Sequence, residues 1–208
     1  MQARRQGLFE GWYLLGLTSL VMAALAVWLA AMRGFEVDGV RMVVRYTART
    51  SLLFFCLAFS ASALCRLWPA AFTRWQLRNR RYLGLSFAVS HLYHLIAIVC
   101  FAVMAPALFE EATSKASFIF GGIGYALIIA MAATSFDRTA RAIGPRAWRL
   151  LHTAGVYFLW VQFMLAFGKR IAEMPNYAFF LLPLLAVMAL RLMAAAQARQ
   201  WRMARSSE

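Results

Sequence analysis

The stretch RRYLGLSFAVSHLYHLIAIVCF, Arg80 to Phe101, decides how the chain is read. Two arginines lead into twenty residues without a charged side chain, the length of helix that crosses a bilayer. Inside it stand His91 and His94, two of the protein's three histidines. The third, His152, lies in another apolar run, LLHTAGVYFLWVQFML, residues 150–165. An ionisable or metal-ligating side chain at membrane depth costs free energy, so each marks a functional site by default.

Composition agrees with a membrane protein. Of 208 residues, 63% are hydrophobic and 14% charged, where a soluble domain carries about a quarter charged residues. The expected architecture is all-α, a polytopic six-helix membrane bundle forming one domain over residues 1–208. The net charge of +14 does not point to nucleic acid, because the basic residues gather at the ends of apolar runs. Cys56, Cys65 and Cys100 have no metal-binding spacing and read as packing residues.

Working outward, the hydropathy places spans at 11–32, 50–68, 82–108, 118–136, 146–167 and 177–198. The first is too long for the apolar core of a signal peptide and reads as an uncleaved span. The polar stretch RGFEVDGVRMVVRYTART joins spans one and two and reads as partly helical, packing at the interface. Arg66 can snorkel to the headgroups, SASA at 60–63 and GGIG at 121–124 favour close helix approach, and Pro183 is a candidate kink. Pro145 suits the first turn of helix five. Fifteen of the 22 basic residues, including Arg4 and Arg5, fall on the side of the termini and seven on the other, which puts both termini in the cytoplasm.

In this topology spans three and five both run outward from the cytoplasm. If these helices are neighbours, a span-three histidine, His91 or His94, can then face His152 and hold one heme iron. Two axial imidazoles leave iron no open position, which suits electron transfer. Tyr93 and Tyr157 are candidate pocket walls, and arginines such as Arg149 can meet the propionates. Another metal, proton relay and simple hydrogen bonding across helices stay open as readings of the same histidines. One tension is visible: His94 is about 20 Å beyond Arg81 by helical rise, but His152 only about 10 Å beyond Pro145.

The segments TARTSLLFFCLAFSASALCRLWP (47–69), RRYLGLSFAVSHLYHL (80–95) and AATSFDRTARAIGPRAWRLLHTAGVYF (132–158) carry a resemblance. The chain resembles the ferric reductase-like transmembrane domain. It looks most like the heme-binding membrane subunits of bacterial periplasmic methionine sulfoxide reductase systems. Carried over by position, the resemblance implies heme b ligands at His94 and His152 and leaves His91 without a counterpart. The family's further span-five histidine falls on Leu165 and a second-span glycine on Ala48, so one heme rather than two is expected.

The resemblance further implies a multi-pass protein of the bacterial inner membrane, embedded in lipid and acting as an electron-transfer subunit rather than a stand-alone enzyme. Its donor would be a cytoplasmic flavoprotein or a quinol, with any flavin on that partner, and its acceptor a periplasmic oxidoreductase. Arg45 and Arg49 can meet a quinone head or a propionate, although interfacial anchoring explains them more simply. The alternatives are a transmembrane ferric or other metal reductase, and a non-redox transporter or assembly protein.

Overall fold

A computed structural model describes residues 7–206 of the protein. The described residues form eight α-helices: α1 (Gly11–Ala31), α2 (Val37–Leu67), α3 (Ala71–Arg78), α4 (Arg80–Met104), α5 (Pro106–Ala112), α6 (Lys115–Ala133), α7 (Asp137–Gly168) and α8 (Ala178–Ser206). A 3-10 turn, Pro175–Tyr177, precedes α8. Six of the helices are long and apolar enough to cross a membrane. The chain is an all-helical, multi-pass membrane protein. Arg4 and Arg5, counted above for orientation, lie outside the described residues.

Helix boundaries shift where charge hid an apolar stripe. The stretch after α1 is helical in part, as expected, and more of it than a connector: only residues 33–36 form the turn, and α2 takes in the rest from Val37. Val40, Val43, Val44 and Thr47 recur at helical spacing, while Arg41 and Arg45 occupy the exposed face. Val43 packs with Leu29 of α1 and Ala97 of α4 in a buried cluster. The reversal from α1 into α2 uses left-handed backbone at Gly34 (φ 63°) and Phe35 (φ 58°). It also brings α2 close: a Cβ added at Gly39 would lie 2.9 Å from the Ala30 carbonyl oxygen.

Similarly, the basic connector before span three contains α3, and span three stops at Met104 because Pro106 starts α5. Helix α7 begins at Asp137 but is broken at Gly144, whose φ of 78° is left-handed. Its long apolar part therefore starts at Pro145, as the sequence suggests.

The chain divides into two compact units. One joins the residues up to Phe55 with Arg81–Gly155, and the other joins Cys56–Arg80 with Val156 onward. In the first, Trp12 packs edge-on against Tyr82 (5.4 Å) and stacks on Phe136 (6.0 Å). Arg81 reaches Asp137 at 3.1 Å beside them. The start of α4 and the α6–α7 turn are thereby held at one level. Close approach of α6 to α7 falls at Gly155, where a Cβ would lie 2.6 Å from the Met131 sulfur, and not at Gly121 or Gly122, where a Cβ would meet nothing within 4 Å.

In the second unit, Gln76 of α3 is buried and donates to the Leu57 carbonyl (2.7 Å) and to Ser60 Oγ (3.1 Å). Arg66, expected to reach toward headgroups, donates to the Ala194 carbonyl at 3.3 Å. Arg191 donates to the Phe59 carbonyl at 3.0 Å, and its guanidinium lies 4.3 Å from the Phe59 ring. Helix α8 runs through Pro183 as one helix.

Candidate functional site: the intramembrane histidines

All three histidines belong to the first unit. Along α4, Leu83, Ser86, Phe87, Ser90, Ala97 and Phe101 form a buried stripe at three- and four-residue spacing. His94 lies on that stripe between Ser90 and Ala97. Its polar members meet hydroxyls on α1, which runs parallel to α4, and on α2, which runs antiparallel. Ser86 Oγ is 2.8 Å from Thr18 Oγ1 of α1, and Ser90 Oγ is 2.9 Å from both Ser51 Oγ and Thr50 Oγ1 of α2. One turn further, His94 Nδ1 is 3.0 Å from Thr47 Oγ1 and 3.0 Å from the Val44 carbonyl oxygen.

These contacts decide the tautomer of His94. The Val44 carbonyl can only accept. Thr47 donates its one hydroxyl proton to the Val43 carbonyl at 2.6 Å, so toward His94 it also accepts. Two acceptors on Nδ1 require an Nδ1–H. The lone pair then sits on Nε2, in the orientation that carbonyl-anchored metal-ligating histidines adopt. Helix α2 thus fixes Nδ1 as a proton-bearing nitrogen of His94.

His91 occupies a neighbouring face. Its ring centroid lies 5.2 Å from that of His94, 5.3 Å from Phe87 and 5.1 Å from Tyr125 of α6. The two α4 histidines therefore form one cluster.

His152 is elsewhere along the helices. Its Nε2 is 3.1 Å from Thr134 Oγ1 at the end of α6, and its ring stacks on Trp148 at 4.3 Å and 25°. Trp148 Nε1 donates to the Thr134 carbonyl at 3.0 Å, tying the same corner. Thr134 spends its proton on the Ala130 carbonyl (2.7 Å), so it accepts from His152 Nε2–H. This is the opposite tautomer to that of His94.

Helix α6 serves as a ruler between the two places. Tyr125, beside His91, and Thr134, bonded to His152, are nine residues apart, about 13 Å along the axis. Helix α4 agrees independently. Tyr82, level with Phe136 through their shared partner Trp12, is nine residues before His91. His94 stands three residues further on, about 18 Å in all from the level of Phe136, which follows Thr134 by two residues. The tension in helical rise noted from the sequence persists in the structure.

The remaining expected residues are spread out. Arg49 is half-buried, its guanidinium 5.1 Å from the Tyr46 ring. Arg149 is on the exposed face of α7, and Tyr93 is half-buried one position before His94. Tyr157 belongs to the second unit, 5.7 Å from Phe59 and 5.4 Å from the Arg191 guanidinium. Sequence reasoning missed Thr47, Thr134 and Trp148. The signal available for the first was the hydroxyl set Thr47, Thr50 and Ser51 on one face of α2, matching Ser86, Ser90 and His94 at four-residue steps on α4.

The comparisons with known proteins converge on the same region. Residues 44–166, more than half of the 208, match the family described as ferric reductase like transmembrane component. The protein-methionine-sulfoxide reductase heme-binding subunit MsrQ of Ralstonia nicotianae is 30% identical over 148 residues, covering 64% of this chain and 67% of the relative. No solved structure matches. The matched span contains the α2–α4 hydroxyl and histidine ladder as well as His152 and its Thr134 partner, and the chain belongs to the ferric reductase like transmembrane component family.

Proposed function

We propose that this protein is a heme-binding membrane subunit that carries single electrons between a donor on one side of the bilayer and an oxidoreductase on the other. The carrying observation is His94: an intramembrane imidazole whose Nδ1–H is held by the Val44 carbonyl and Thr47 Oγ1, leaving the lone pair on Nε2. The donor set around His94 fits an iron ligand. A bound b-type heme would supply a one-electron couple there, and Val44 and Thr47 of α2 would orient the ligand. The name of the MsrQ relative supports both the heme and a methionine sulfoxide reductase as the partner.

The charge pattern supports cytoplasmic termini in a bacterial inner membrane, with electrons moving outward from a cytoplasmic flavoprotein or a quinol. Purified protein, expressed with ample heme, is expected to show a Soret band and a reduced α-band of b type. A colourless preparation overturns the proposal.

A further inference from the structure

We infer that His94 and His152 do not share one iron, and that they mark two separate sites at different membrane depths, of which the His94 site binds the heme. This rests on the heme reading above, but the geometry behind it does not.

A shared iron puts one nitrogen from each imidazole on opposite sides of the metal, about 4 Å apart for two bonds of about 2 Å. The rings must then stand at one level. Here they do not. On α6, His91 meets Tyr125 and His152 meets Thr134, nine residues away. On α4, Tyr82 and Phe136 flank Trp12, and His94 lies twelve residues beyond Tyr82. The offset between His94 and His152 is about 18 Å along the helix axes, beyond the span of two imidazole side chains.

Beginning α4 outside the membrane would not remove the offset. Arg81, in its first turn, is paired with Asp137 in the first turn of α7. Substituting His91 for His94 narrows the offset only to about 13 Å.

The local chemistry separates the two places as well. His94 carries its proton on Nδ1 and offers Nε2. His152 is bonded through Nε2 to Thr134 and covered on one face by Trp148. Offering Nε2 to a metal would require His152 to give up the Thr134 bond. Ligation through Nδ1 would keep that bond but would take place beside the α7 backbone, under the Trp148 ring, so we assign the metal to the α4 site.

Two measurements on the full-length protein decide this. The first is heme content and spectrum of His94→Ala and His152→Ala. The expected result is loss of heme in His94→Ala and an unshifted Soret band at unchanged stoichiometry in His152→Ala. If His152→Ala loses that heme or turns it five-coordinate, or if His94→Ala keeps it unchanged, the inference is overturned.

The second needs no heme and leaves both histidines in place. Leu92 and Leu150 are 53% and 71% exposed and lie beside the two levels. Spin labels on Leu92→Cys and Leu150→Cys, in a background without Cys56, Cys65 and Cys100, report depth through relaxation by oxygen and by a water-soluble nickel chelate. A depth difference of about 15 Å or more is expected. Equal depths overturn the two levels even if heme is bound. A heme-free protein with unequal depths overturns the proposed function and leaves the two levels standing.

Discussion

Thr47 Oγ1 and His94 Nδ1 stand 3.0 Å apart, joining α2 to α4 across two helices that also meet at Ser51 and Ser90. Because Thr47 gives its proton to the Val43 carbonyl, it accepts from the imidazole and shares that proton with Val44. Removing such a ligand-orienting partner lowers metal affinity by about 10–100-fold in comparable sites. Thr47→Val is expected to weaken heme binding by about that much, and Thr47→Ser to restore most of it. Heme titration of the detergent-solubilised variants measures both.

The same helix pair is held by buried hydroxyls at Ser51 and Ser90, both fully enclosed. Interhelical hydrogen bonds inside a membrane contribute about 0.6 kcal/mol each, up to about 1.7. Ser90→Ala removes the partner of both Thr50 and Ser51, so a loss of about 1 kcal/mol is expected in denaturant unfolding. A double cycle with Ser51→Ala should show coupling, since each substitution removes the same bond.

Gly155 is the tight point between α7 and α6. A Cβ there would stand 2.6 Å from the Met131 sulfur and 3.4 Å from its Cγ. Overpacking of this kind costs about 1–3 kcal/mol. Gly155→Val is expected to lower the unfolding midpoint, and Met131→Ala in the same chain to recover part of the loss by clearing the space. If the two losses simply add, the contact does not limit the packing.

Arg81 and Asp137 pair at 3.1 Å, but the Asp137 side chain is 82% exposed. An exposed ion pair contributes less than about 1 kcal/mol and is screened by salt. Asp137→Asn is expected to change stability by no more than this, with the difference vanishing at high ionic strength. A larger loss in unfolding experiments would mean that the pair carries more of the helix alignment than Trp12, Tyr82 and Phe136 do.

Orientation is open to a direct check. A C-terminal fusion to green fluorescent protein should fluoresce, and one to alkaline phosphatase should be inactive, since the basic residues gather on the side of the termini. The opposite pair of readings would invert the proposed direction of electron flow.

Much of the fold was legible in the sequence because a bilayer demands long uncharged helices with internally satisfied backbones. The six spans and the proline at the start of the long part of α7 follow from that demand. The start of α2 was not legible. Its arginines read as a connector, while the stripe Val40, Val43, Val44 and Thr47 only acquires meaning once Leu29 and Ala97 are there to cover it. At Arg66, hydropathy sees the charge on an exposed residue but not the Ala194 carbonyl that its guanidinium also reaches.

By itself, then, the sequence determined a six-span helical membrane protein with three histidines at membrane depth. These depend on composition, length and spacing along one chain. Tertiary structure alone decided what each histidine is. Val44 and Thr47 set His94 as an Nδ1–H imidazole, while Thr134 and Trp148 hold His152 by its other nitrogen. Helical rise can place a residue along its own helix, but its level against another helix depends on which side chains pack across the gap. In RRYLGLSFAVSHLYHL that packing sets His94 against α2 and His91 against α6, about 18 Å and 13 Å from the level of His152.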